Sequence, residues 1–188
     1  MRDPAMFVIT WTGMLRSAEV KQMDWKHVKF TERGLMLFVP VSKTDQQGEG
    51  AWVFMADQPT SALGVVGVMR RLKELAQEPE KGAVFTARRP KTTEAATQAE
   101  PLTTDTMRAR LRKTLQQIGV TDVDLFGFHS FRRGGATASH LGQVSERQIM
   151  VHGRWRSDCV RKYMYLTAQD EAAWGVADGM HKKNITCT

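Results

Sequence analysis

Apolar positions follow two rhythms along this chain, and each predicts its own kind of element. From Pro4 to Met23 they crowd together, most densely in AMFVITWTGML, and predict one helix. Pro4 sits near its first turn, where a missing N–H does no harm. Short β-rich runs follow, split by turn residues. They predict strands at Val28 to Phe30, Leu35 to Val41 and Ala51 to Met55, joined through Arg33-Gly34 and Asp45 to Gly50. Lys43 therefore falls at a strand end beside a polar, glycine-containing loop.

The helical period returns from Thr60 to Gln77, where Leu63, Val66, Met69, Leu72 and Leu75 recur and Pro79 closes the run. TARRPKTTEAATQAEPLTT is poor in large apolar residues and carries two prolines, so it predicts a surface loop within one domain. Thr104 or Asp105 predicts the cap of a helix with Met107, Leu111, Leu115 and Ile118 on one face, and Gly119 predicts its stop. Further helix is predicted from near His129, over Ser145 to Val151, and from Ser157 onward. The fold class is α+β, mainly α-helical, with a small antiparallel sheet near the N-terminal third.

Composition narrows the function. A chain of 188 residues suits one domain with a real core. AMFVITWTGML is too short to span a bilayer and lacks a small-residue cleavage site, so a buried first helix is expected and no membrane partner. Lys and Arg number 27 against 20 Asp and Glu, a net charge of +7 that favours polyanions. Two cysteines, Cys159 and Cys187, form no disulfide framework and suit a reducing compartment. His140, His152 and Cys159 match no zinc spacing, so no metal and no cofactor site is predicted.

Two segments break the pattern. HSFRRGGATASH sets His129, Arg132 and Arg133 directly before two glycines, a poor composition for a helix start. On a helix, His129 and Arg132 share a face, whereas Arg133 lies about 100° round from Arg132. The glycines let a backbone or a ligand approach closely. The plain alternative is a solvated basic helix start. The second segment, HGRWRSDCVRKYMYLT, contains both tyrosines of the protein. From Trp155 to Tyr163 a straight helix would span about 12 Å, so a break is needed, and Ser157-Asp158 supplies an N-cap for a new helix. Tyr163 and Tyr165 point about 200° apart on it, so only one can serve a given site. Here the plain alternative is two core aromatics.

Together these segments resemble the catalytic domain of the tyrosine recombinase, or phage integrase, family. The style is nearest to the versions in eukaryotic mobile elements, with H-S-x-R-R-G-G-A-T, then G-R-W-x-S, then a tyrosine. TGMLRSAEV resembles the box with the family's first catalytic arginine, VPVSKTDQQGEGAWVFM the hairpin with its lysine, and HSFRRGGAT and GRWRSDCVRKY the remaining boxes. The resemblance implies an enzyme that breaks and rejoins double-stranded DNA, with Arg16 and Arg132 clamping the scissile phosphate. His129 and the Trp155 indole N–H would add donors, Lys43 would act as general acid and Tyr163 as nucleophile, with Tyr165 its rival. It implies a 3′-phosphotyrosyl intermediate without metal or ATP, and a homo-tetramer on DNA. It also implies an intracellular site of action, the nucleus in a eukaryote and the cytoplasm or nucleoid otherwise.

Each residue has a plainer reading. Arg16 sits three before Glu19 and can pair with it, Lys43 can be a solvated hairpin lysine, and Trp155 can be core. The expected organisation is a catalytic domain over 1–170 and a tail over 171–188. That tail, with Ala172, Trp174, Val176 and Met180, would dock on a neighbouring subunit or on its own domain. Met1 lies almost at the start of the catalytic region, so the family's N-terminal DNA-embracing domain is expected to be absent, either because this is a fragment or because it is a minimal protein that needs help to hold DNA, and DNA affinity from this chain alone is expected to be weak. Two other functions compete: a DNA-binding module of this fold without catalysis, and a type IB topoisomerase-like strand transferase.

Overall fold

In the computed structural model, which describes residues 1–42, 45, 48–61, 64–156 and 160–161, helix α1 runs from Arg2 to Thr12. The single helix expected as far as Met23 is in fact two. Met14 turns left-handed, with φ 46°, and the N–H of Leu15 reaches back to the Thr10 carbonyl, which closes α1. A five-residue helix, α2 (Ser17–Lys21), then starts from Arg16 as its N-cap. The apolar run carries across the break because both pieces face one core: Ala5, Met6, Ile9, Leu15, Val20 and Met23 are all buried.

Strands β1 (Val28–Thr31), β2 (Gly34–Val39) and β3 (Ala51–Ala56) form an antiparallel sheet in that order. Leu35 pairs with Met55 and Leu37 with Val53, so the inward face is apolar at every rung. The outward face carries Phe38 and Trp52, with ring centroids 5.2 Å apart, and an exposed Phe54. Gly34 opens β2 at φ 152°, and a Cβ there would run into the Met55 carbonyl, so this turn requires glycine.

Helix α3 (Val65–Leu75) buries Val65, Val66, Met69 and Leu72. The stretch expected to be a loop contains a six-residue helix, α4 (Thr93–Gln98), capped by the Thr92 hydroxyl and anchored by buried Ala96. One buried residue in six leaves no period to read. Thr103, not Thr104 or Asp105, caps α5 (Thr104–Gln117), accepting from the Thr106 N–H. Gly119 stops that helix at φ 81°, as expected. Helices α6 (Phe128–Leu141) and α7 (Glu146–Gly153) complete the described elements. The helix expected from Ser157 onward and the tail lie outside the described residues, apart from 160–161.

The main core packs α1 against α3, α5, α6 and the inner sheet face. A smaller cluster of Met14, Ala136, Ile149, Trp155 and Val160 lies under the junction of α1, α6 and α7. The fold is α+β, mainly helical with one small antiparallel sheet. Among the described residues no helix is long and apolar enough to cross a membrane.

Candidate active site

The C-termini of α1 and α7 meet, and that meeting builds the site. A helix C-terminus leaves carbonyls without intrahelical partners and carries partial negative charge. Here those carbonyls are met by cationic and N–H groups brought from elsewhere in the chain.

Arg132 supplies the first. It lies one turn into α6 and is 1% exposed, with Nη1 donating to the Met14 carbonyl and Nη2 to the Gly153 carbonyl. Its guanidinium carbon stands 4.0 Å from the centroid of the Trp155 ring, a cation–π stack. Three glycines make this possible. A Cβ on Gly135 would lie 2.7 Å from the Trp11 carbonyl oxygen, one on Gly134 would strike the Trp11 ring, and one on Gly153 would overlap the Trp155 indole. The glycine pair in HSFRRGGAT thus seats α6 on α1, and the close approach is by backbone.

Arg154 supplies the second. It is the first residue past α7, left-handed at φ 59°, and its side chain is 7% exposed. Nη2 donates to Glu19 Oε2 at 2.8 Å and to the Met14 carbonyl at 3.2 Å. Nη1 reaches the His152 carbonyl at 2.9 Å and the Gly13 carbonyl at 3.3 Å. The His152 ring joins the same junction through Nε2 and the Thr12 carbonyl, 2.8 Å apart. Burial holds its pKa below the ordinary histidine value; the Thr12 bond opposes this, and Arg154 and Arg132 add to it. A neutral ring with its proton on Nε2 satisfies that bond.

Arg16 stands at the front of the site. Its backbone N–H donates to Glu19 Oε2 at 2.8 Å, and Nη1 donates to Glu19 Oε1 and to Ser42 Oγ, both at 2.9 Å. Burial would raise the Glu19 pKa, but Arg154 and then Arg16 overcome it and hold the carboxylate ionised. Ser42 lies in the loop that follows β2. Across that loop the Asp45 carboxylate accepts from the N–H groups of Gly48, Glu49 and Gly50.

His129 is exposed in the first turn of α6, and Arg133 points to solvent. Partial desolvation, then the fields of Arg132, Arg133 and Arg16, lower the His129 pKa. Arg16, His129, Arg132 and Trp155 thus fall in one neighbourhood. Trp155 is buried against the Arg132 guanidinium. Lys43, Tyr163 and Tyr165 lie outside the described residues. Sequence reasoning passed over Arg154, His152 and Ser42 as members of this site. Arg154 was visible within GRW, but nothing local marks an arginine that turns inward from a left-handed position.

The sequence and the fold have known relatives. Residues 1–170 match the family model described as the phage integrase family. An integrase/recombinase xerD homolog from Selenomonas ruminantium is 27% identical over 165 residues, covering 87% of this chain and 47% of that protein. The crystal structure of XerA recombinase superposes with a TM-score of 0.67 at 15% identity, covering 98% of this chain and 58% of that one. XerH site-specific recombinase, bound to its palindromic difH substrate after cleavage, gives 0.65 at 15%, covering 95% and 45%. The chain therefore spans about half the length of the curated relative that it matches. On the extent of the family match, this chain belongs to the phage integrase family, whose members are tyrosine recombinases.

Proposed function

We propose that this chain carries the catalytic centre of a site-specific DNA recombinase that cuts and rejoins duplex DNA through a covalent 3′-phosphotyrosyl intermediate. The observation that carries the reading is geometric: Arg132 is fixed on the Met14 and Gly153 carbonyls and Arg16 on Glu19 and Ser42, and the two anchors are joined through Arg154 at one meeting of helix ends. Two guanidiniums meet the charge that develops on the non-bridging oxygens of a phosphodiester under attack, and such preorganised donors are usually the largest catalytic contribution.

In the proposed reaction the Tyr163 hydroxyl oxygen attacks phosphorus and the bond to the 5′-oxygen breaks. The phenol proton passes to His129, whose lowered pKa keeps the ring neutral and able to accept it near pH 7. Lys43 returns a proton to the departing 5′-oxygen. The phosphotyrosyl ester conserves the bond energy, so rejoining needs no ATP, and the arginines carry the positive charge a metal would otherwise supply. Duplex DNA is the proposed partner, with a homo-tetramer assembling on two sites.

A pool of nicked duplexes with randomised sequence, whose cut fragment diffuses away, tests this directly. A covalent protein–DNA adduct is expected, abolished by Tyr163→Phe, spared by Tyr165→Phe and indifferent to EDTA. An adduct that survives Tyr163→Phe moves the nucleophile, and strong inhibition by EDTA sinks the metal-free mechanism. A second reading, a DNA-binding module without catalysis, draws on the burial of Arg132 against backbone carbonyls. DNA binding with no adduct from the unmodified chain selects it.

A further inference from the structure

Arg154 has no task in the mechanism above, yet the chain goes to some length to bury it. Its left-handed backbone is a conformation that glycine adopts freely and a residue with a Cβ does not. The side chain then turns inward to four acceptors: Glu19 and the carbonyls of Gly13, Met14 and His152. A solvated arginine would need neither feature.

Two of those acceptors are shared. The Glu19 carboxylate takes Arg154 on Oε2 and the Arg16 guanidinium on Oε1. The Met14 carbonyl takes both Arg154 and Arg132. Arg154 is therefore one bond from the anchor of each guanidinium in the proposed phosphate clamp. Arg16 and Arg132 repel each other, and their separation depends on how firmly those anchors are tied together. A planar guanidinium with donors in a rigid fork can hold a carboxylate and several carbonyls at once; an ammonium on a flexible stem cannot.

We infer that Arg154 is a positioning residue that sets the spacing and orientation of Arg16 and Arg132, so that both meet one phosphate. The inference rests on the reading of Arg16 and Arg132 as that clamp. Arg154 itself stays buried behind the site and acts through Glu19 and the Met14 carbonyl. In most proteins the residue just past a helix is free to be glycine; here a glycine would ease the backbone and loosen the clamp.

The test uses the whole chain and a nicked duplex recovered by covalent capture, in two forms. One has an ordinary scissile phosphodiester; the other has a methylphosphonate there, which lacks the negative charge the clamp meets. Single-turnover cleavage is measured at saturating DNA, beside DNA affinity and the melting midpoint. Arg154→Gly is expected to slow cleavage of the phosphodiester about 100-fold, the loss that accompanies a misplacement near 1 Å, with DNA affinity unchanged. On the methylphosphonate most of that deficit should vanish, and Arg154→Lys should fall between wild type and Arg154→Gly on the phosphodiester.

An equal deficit on both substrates makes Arg154 a support of the fold alone and overturns the inference. If Arg154→Gly does not fold, Arg154→Lys carries the test on the same two substrates, and wild-type rates for it overturn the inference as well. Arg16→Ala separates the two claims. If its deficit is the same on both substrates, the clamp reading is wrong and the inference falls with it. If Arg16→Ala recovers on the methylphosphonate and the Arg154 variants do not, only the role of Arg154 is wrong.

Discussion

Replacing Gly135 with alanine tests whether the glycine pair of HSFRRGGAT serves packing. On propensity alone the change should help, since alanine is favoured over glycine inside a helix by about 1 kcal/mol. The structure predicts the opposite. The new Cβ would lie 2.7 Å from the Trp11 carbonyl oxygen and 3.2 Å from Met14 Cγ, against about 3.4 Å for an ordinary contact. The carbonyl belongs to the last turn of α1 and cannot rotate away, so α6 must retreat by about 0.7 Å (3.4 less 2.7). Overpacking of this kind costs about 1–3 kcal/mol, which offsets the propensity gain and leaves a net loss of roughly 0–2 kcal/mol. Gly67 is the control: it lies exposed in α3 with nothing within 4 Å of its would-be Cβ. Gly67→Ala should therefore raise the melting midpoint by about 2–4 °C, and Gly135→Ala should lower it or leave it flat. The assay is thermal unfolding followed by helical circular dichroism. Equal stabilisation by both substitutions would refute the packing role and return the glycines to the question of ligand approach.

Other consequences follow from the same junction. Glu19→Gln removes the carboxylate shared by Arg16 and Arg154 and leaves a buried cation poorly compensated; the loss should sit at the lower end of about 3–5 kcal/mol, read from urea unfolding, and a loss within experimental error would contradict it. His152 is held below its ordinary pKa of 6.5, so the unfolded chain takes up a proton first as pH falls. Stability should then be level above about pH 6.5 and decline below it, and His152→Gln, which keeps a donor for Thr12, should lessen that decline in melting curves between pH 8 and 5, with the rest left to His129 and His27, whose pKa values are lowered too. Trp155→Ala should cost about 3–5 kcal/mol because it removes both the floor of the Arg132 guanidinium and the centre of the small cluster, whereas Trp155→Phe keeps a ring there and should cost clearly less in the same unfolding assay. Gln143 is exposed and left-handed at φ 60° past α6, so Gln143→Gly should stabilise by roughly 0.5–1 kcal/mol, and destabilisation would mean that its side chain makes a contact of value.

The elements that carry a period and a glycine or proline boundary were legible in the sequence. The strands, α5 with Gly119, and the α6 start beside His129 all have such marks. What escaped was set by tertiary contact. The turn that closes helix α1 is made at Met14, a residue without turn preference, so the apolar pattern ran on into α2. Helix α4 is short and polar and is held by one buried alanine. At the site, local pattern separated Arg132 from Arg133, since a 100° step puts one in the core and the other in solvent. No local pattern could show that Arg132, Arg154 and His152 would be drawn to the same pair of helix ends, because each has a partner more than a hundred residues away, at the end of α1 or just past it, and Arg154 has another in Glu19.

The ends of the helices explain why one kind of backbone feature means different things in different places. Helices α1, α3, α5, α6 and α7 all close by sending an N–H five residues back, from Leu15, Glu78, Val120, Val144 and Trp155. The left-handed residue before it is glycine only in α5; elsewhere it is Met14, Gln77, Gln143 and Arg154. Gln77 and Gln143 are exposed, so their backbone cost is offset by nothing their side chains bury. Met14 and Arg154 differ. The Met14 side chain fills the small cluster, and its carbonyl receives two guanidiniums; the Arg154 side chain reaches four acceptors, two of them carbonyls at the end of α1. A left-handed non-glycine residue is therefore no marker of function by itself. The discriminating observation is where its side chain goes, and the two that go inward, Met14 and Arg154, meet where Arg132 is anchored, with Arg154 also on the Glu19 carboxylate that anchors Arg16.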